Sequence, residues 1–202
     1  MGVSLKQFAE MKSRLGGRSS SQSDSPLGDD VLHYQTGDLV LGIDPSLRGT
    51  GWGVVRVAQP EPVHIGSGTI HCPAAWERTR CLGEIGRIIA CLMVEFRPVA
   101  CVCEGLFFAQ NLQTALIMGE ARGAALAAVA VCGISIHEIS ARKVKQAIVG
   151  YGAAQKMAVA LMVQRRLSLD VLPTPDAADA LALAIVFVQE SRRSLLRSAR
   201  RI

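Results

Sequence analysis

Long apolar runs are missing from this chain of 202 residues. None reaches the roughly 18 residues of a membrane span, and Gly123 to Gly133 is only a short Ala/Val-rich stretch. A soluble protein with no membrane partner is therefore expected. Paired cysteines are missing too: the six present, Cys72, Cys81, Cys91, Cys101, Cys103 and Cys132, show no Cys-x-x-Cys spacing. They lie mostly inside apolar segments and no secretory leader precedes them, which fits buried thiols in a reducing cytoplasm. The four histidines, His33, His64, His71 and His137, have no mutual ligand spacing. A metal centre built on sulfur or imidazole is thus not in view. A large excess of one charge sign is missing as well: 22 basic against 17 acidic residues leave a net +5, too small by itself to argue for nucleic acid. Gly49-Thr-Gly-Trp-Gly53 lacks the following Gly-Lys-Ser/Thr of a nucleotide-binding Walker loop.

What is present is a core. Half of the residues are apolar, enough for one substantial domain. Gly16 to Pro26 is rich in Gly, Ser and Pro and cannot bury a core, so residues 1–37 read as a disordered extension. Within it Leu5 to Leu15 could form a short amphipathic helix, and Glu10, Asp24, Asp29 and Asp30 argue against a transit peptide. A start codon placed too far upstream would give the same pattern. Residues 38–190 read as the folded domain. Residues 191–202 form a basic tail whose five arginines either attract phosphate or merely solubilise the terminus.

Inside the domain, Leu39 to Ile43 reads as a strand ending at Asp44. Gly49 to Gly53 marks a tight turn, and Val54 to Val57 and Val63 to Ile70 supply two more strands. Short connections make these three antiparallel neighbours. Leu82, Ile85, Ile88, Ile89, Leu92 and Met93 recur at helical spacing, giving a helix from about Ala75 to Glu95 with Pro98 beyond it. Val99 to Glu104 is a buried strand, Asn111 to Val131 a Gly/Ala-rich helix, and Ile134 to Glu138 a fifth strand. Ser140 caps a helix that Gly150-Tyr-Gly152 ends, Gln155 to Leu167 forms another, and Pro175 opens a last one to about Gln189. The expectation is an α/β fold: a five-stranded mixed sheet, its first three strands antiparallel, flanked by helices.

Four acids stand out against this frame: Asp44, Glu104, Asp176 and Asp179. Two end strands, and two lie three residues apart on one face of a helix's first turn. If the first and fourth strands are parallel neighbours, Asp44 and Glu104 stand side by side at one sheet edge. Gathered carboxylates repel by about 4 kcal/mol per close pair at an effective dielectric near 20. A hard divalent cation is the simplest remedy, and oxygen ligands suit Mg²⁺ or Mn²⁺. Taken singly, each acid is better read as a turn residue or a helix cap.

The residues also carry a resemblance. Gly42-Ile-Asp-Pro45 with Thr50-Gly-Trp-Gly53, Glu104 with Phe107, Arg122-Gly123, Arg142-Lys-Val-Lys145, Val149-Gly-Tyr-Gly152 with Lys156, and Asp176-Ala-Ala-Asp-Ala-Leu-Ala182 occur in that order. The set resembles the bacterial RuvC-type Holliday junction resolvases, which have the ribonuclease H-like fold. The resemblance implies that Asp44, Glu104, Asp176 and Asp179 are catalytic and hold two Mg²⁺ or Mn²⁺ ions, Asp44 bridging them. One ion would activate water and the other would stabilise the leaving 3′ oxygen. It implies that Phe107 stacks near the junction centre, a reading preferred to that of a core Phe despite the neighbouring Phe108, and that Arg142, Lys145 and Lys156 meet DNA phosphates. It implies paired nicks with 5′-phosphate ends, four-way junction DNA as substrate and a homodimer through the Asn111 to Val131 helix. A branch-migration motor complex is a further partner that it admits.

Three departures bear on DNA affinity and site preference: Ser46 for a usual Gly, Gln110 for a common basic residue and Ala158 for a frequent Gln. If position 46 needs a positive φ, the serine costs on the order of 1 kcal/mol. Other readings compete. Gly42-Ile-Asp44 also resembles the first phosphate loop of actin-like ATPases and sugar kinases, but those need two such domains and a second Asp-Gly motif. A non-catalytic junction binder would be expected to lack one or more of the acids. A nuclease for another branched nucleic acid would share the same metal chemistry.

Overall fold

A continuous apolar run makes Leu39–Asp44 (β1) an interior strand of the sheet, because both of its faces can be buried. Gly49–Arg56 (β2) pairs antiparallel with β1, and Val63–His71 (β3) antiparallel with β2. On the other side Ala100–Glu104 (β4) runs parallel to β1, and Ser135–Ile139 (β5) parallel to β4. The computed structural model describes residues 34–105, 111–192 and 200–201. The mixed sheet expected from the sequence is therefore present, with its first three strands antiparallel. It has a sixth member rather than five, Arg200–Arg201 (β6), antiparallel to β5. Two arginines carry no alternation, so no periodic signal marked them as a strand. Of the expected tail, the remainder beyond Arg192 lies outside the described residues, as do residues 1–33.

Two helical layers cover the sheet. Arg78–Phe96 (α1) and Leu112–Ala130 (α2) pack on the face that presents Leu41, Ile43, Cys101 and Cys103. Ala141–Val149 (α3), Lys156–Arg166 (α4) and Pro175–Arg192 (α5) pack on the face of Val40, Val55, Ala100 and Val102. Helix ends follow the local chemistry. Ser140 accepts a bond from Lys143 N, Gly150 ends α3 at φ 100°, and Arg97 ends α1 in the left-handed region just before Pro98.

The Gly49–Gly53 segment is not the tight turn that its composition suggests. It lies inside β2, and the reversal occurs at residues 45–48. The glycines serve close approach instead. A Cβ on Gly42 would lie 2.0 Å from Ala180 O, and one on Gly51 would lie 1.9 Å from Asp176 O. The backbone of α5 thus rests directly on the backbones of β1 and β2. Alanines at 177, 178, 180, 182 and 184, all buried, keep that contact thin.

Gly51→Ala should therefore lower the unfolding free energy by about 1–3 kcal/mol through overpacking against fixed backbone. Gly83→Ala in α1, where an added Cβ meets nothing within 4 Å, should instead raise it by about 0.5–1 kcal/mol. Urea unfolding of the two variants checks both signs.

Candidate active site

Strand parity aims the first two acids. Leu41 and Ile43 point into the α1–α2 layer, so Asp44 points to the α5 side; Cys103 likewise sends Glu104 to that side. The register pairs Ile43 with Cys103, which places Asp44 and Glu104 on adjacent parallel strands one step further on. Parallel pairing of β1 and β4 is the arrangement that the sequence argument required.

The other two acids arrive with α5. Thr174 accepts from Ala177 N, capping the helix, and its hydroxyl bonds that of Thr69 on β3 at 2.7 Å. Asp176 sits in the first turn, where the helix dipole favours negative charge, and Asp179 follows one turn along. Because Gly51 lets Asp176's own backbone touch β2, both side chains reach the edge that carries Asp44. All four acids line one cavity of about 320 Å³, together with Pro45, Ser46, Met118, Lys145 and Lys156.

The electrostatics are those of crowded anions. Burial pushes the Asp44 carboxyl from 3.8 up to about 7, with the charges of Glu104 and Asp179 adding to it and Lys156 opposing. Glu104 and Asp179 are also raised, in each case chiefly by burial. Lys156 Nζ stands 3.4 Å from Asp179 Oδ2 and 3.7 Å from Asp176 Oδ1. Burial works against its ammonium, but Asp179, Asp44 and Asp176 outweigh that and hold its pKa up. Four carboxylates against two lysines leave an excess of two negative charges at full ionisation. An all-oxygen donor set with uncompensated charge fits a hard divalent cation. Among the described residues, no three acidic, histidine or cysteine side chains are close enough to enclose an ion as they stand. Lys156 supplies the cationic charge between Asp176 and Asp179.

Known proteins resemble this chain in sequence and fold. The family profile of crossover junction endodeoxyribonuclease RuvC matches residues 40–187. The RuvC of Syntrophomonas wolfei is 43% identical over 156 residues, 77% of this chain and 91% of that one. The RuvC of Geobacter sulfurreducens is 41% identical over 162 residues, 80% of this chain and 99% of its own. The chain belongs to the RuvC family. Its structure is also similar to that of T. thermophilus RuvC in complex with Holliday junction substrate, with a TM-score of 0.71 and 30% identity over 82% of this chain and 99% of that one. The ribonuclease H-like α/β fold expected from the motifs is thereby established.

The remaining RuvC-type residues divide. Lys145 and Lys156 join the acids in the cavity. Arg142 does not: it is exposed, and its stem runs along Gly152, where a Cβ would lie 2.6 Å from Arg142 Cγ. Phe107 and Gln110 lie outside the described residues. Ser46 carries no strain of the kind its substitution for glycine suggested, since the positive-φ residues other than glycine among those described are Arg97 and Ser168. Its backbone is held instead by Thr50, which is fully buried: Thr50 Oγ1 donates to Ser46 O at 2.7 Å and accepts from Ser46 N at 3.2 Å. Sequence reasoning gave no role to three groups here. Thr50 closes the turn after Asp44, Thr174 caps α5, and Arg48 donates to Pro73 O at 2.7 Å and Trp76 O at 3.1 Å to tie that turn down. The Thr-Pro-Asp order before the last helix was the one signal that could have identified Thr174.

The raised Asp44 pKa fixes a pH dependence. Its folded value of about 7 exceeds its ordinary 3.8, so the folded state holds the proton more tightly. The stability this group contributes is full below about pH 4 and is lost as pH rises through 7. In EDTA, wild-type stability should therefore decline from pH 5 to pH 8, and Asp44→Asn should flatten the decline. At pH 8 the variant should be more stable by on the order of a few kcal/mol. Urea titrations at the two pH values measure this.

Proposed function

We propose that this chain is a homodimeric endonuclease that resolves four-way DNA junctions by paired symmetric nicks, in recombination and DNA repair in the cytoplasm. The reading rests on one observation above others: Asp44, Glu104, Asp176 and Asp179 line the same cavity as Lys145 and Lys156. It is supported by the RuvC relatives and by the junction-bound T. thermophilus RuvC. Asp44, Glu104, Asp176 and Asp179 are the residues that would hold two Mg²⁺ ions, or Mn²⁺ in their place. Bound there, the ions supply Lewis acidity toward a phosphodiester and neutralise the crowded carboxylates.

The protein's own groups do the rest. Asp44 and Glu104, on adjacent strands of a rigid sheet, give the reacting phosphate a fixed reference. Lys145 and Lys156 attract the DNA backbone into a cavity that would otherwise repel it. Lys156, with its side chain 60% exposed, is free to turn from Asp179 toward an incoming phosphate oxygen. Arg142 would contact the backbone outside the cavity, and Phe107 would stack on a base near the crossover, where stacking is worth about 1–3 kcal/mol. Two cuts on opposed strands call for two copies of the site related by a two-fold axis. Leu112 and Leu116, one turn apart and exposed on α2, are suited to that contact. No helix among the described residues is long and apolar enough to cross a membrane.

With Mg²⁺, the protein should nick synthetic mobile and immobile four-way junctions in symmetric pairs with ligatable ends, and spare linear duplex. Even outer-shell partners of a metal are worth about 10–100-fold in activity. Asp44→Asn and Glu104→Gln should thus each slow cleavage by about a hundredfold or more. Intact junctions with wild type, or undiminished cutting by either variant, would refute the assignment; cutting of another branched DNA in preference would redirect it. Light scattering at micromolar concentration should give a dimer, and Leu116→Glu should shift it toward monomer.

A further inference from the structure

Arg122 on α2 is buried to 6% exposure, a costly place for a guanidinium unless every donor finds a partner. Its partners are specific. Nη2 forms a short ion pair with Glu138 of β5, and Nη1 donates to the backbone carbonyl of Glu104 at 2.5 Å. The guanidinium's positive charge also acts on the Cys103 thiol, opposing the rise in pKa that burial imposes there. Cys103 and Ile136 belong to the α1–α2 core, so Glu138, two residues after Ile136, faces that layer too. Arg122 therefore grips the end of β4 from one side of the sheet while the Glu104 carboxylate projects into the cavity on the other. It touches the strand end and not the carboxylate.

Glu104 needs such a hold. It is the last residue of β4, and the next residue, Gly105, is anchored by its N–H on Ile139 O at 3.0 Å. On the β1 side the pairing ends at Ile43 and Cys103, and on the other side Glu104 pairs with Ile139 within the sheet; the Arg122 bond is what ties the Glu104 carbonyl to the helical layer. We propose that Arg122, braced by Glu138, is a positioning residue that fixes Glu104 for cleavage, an inference that rests on the nuclease reading above. A charge-assisted fork to a carbonyl and a carboxylate sets both distance and angle, which a single ammonium or a methyl group does not.

The test separates positioning from folding. Junction affinity in EDTA, single-turnover cleavage in Mg²⁺ and the urea midpoint are measured for wild type, Arg122→Met, Arg122→Lys and Glu138→Gln. Arg122→Met should bind junctions within about threefold of wild type yet cleave about 10–100-fold more slowly. Arg122→Lys should recover part of that loss, and Glu138→Gln should slow cleavage at unchanged affinity. Arg122→Met cleaving at the wild-type rate overturns the proposal. So does a rate that falls only in step with affinity and with the folded fraction. Should Arg122→Met fail to fold, Glu138→Gln decides: an unchanged rate there overturns it. Wild type that leaves every junction whole refutes the nuclease reading itself, and this inference with it.

Discussion

Everything at the site depends on how closely α5 approaches the sheet. Glycines at 42, 51 and 53 remove the side chains that would hold the helix off, and buried alanines on α5 complete the contact. The benefit to the fold is dense packing at backbone separation. The consequence for chemistry is that Asp176 and Asp179 are carried to the ends of β1 and β4. A helix standing at an ordinary side-chain distance would leave the four acids in two unrelated pairs.

That proximity is electrostatically unfavourable, and the protein offsets only part of it. The helix dipole of α5 and the ammonium of Lys156 favour the acids, while burial and mutual repulsion oppose them strongly enough to lift Asp44 to about 7. Stored charge of this kind is a common mark of functional sites, because the structure alone gains nothing from it. It also makes the pocket selective for positive charge before it meets a phosphate.

Much of this was legible in the sequence. Among the described residues, period and breakers located each helix to within a few residues, since helical spacing and Pro or Gly stops are local signals. The parallel pairing of β1 and β4 was a supposition that would bring two strand-end acids together, and the sheet has it. What misled was glycine: Gly49 to Gly53 looked like a turn, whereas its glycines answer to a helix more than a hundred residues later. Contacts of that range leave no mark on local composition. Arg48 escaped for the same reason, as did the role of Arg122, whose partners lie on β4 and β5; Thr50 bonds only four residues back and the two-residue β6 has no alternation, so neither carried a local signal. The worry over Ser46 dissolved because its backbone does not enter the positive-φ region that a glycine would have implied.

The central claim is that the four acids form one cation-binding unit whose charge the fold leaves uncompensated. The most direct measurement is the thermal midpoint at pH 8 as Mg²⁺ is titrated at constant ionic strength, without DNA. Wild type should rise with Mg²⁺ as a ligand-binding native state must, and Asp44→Asn and Asp179→Asn should each lose most of that rise. A wild-type midpoint indifferent to Mg²⁺, or an equal rise in both variants, would contradict the account.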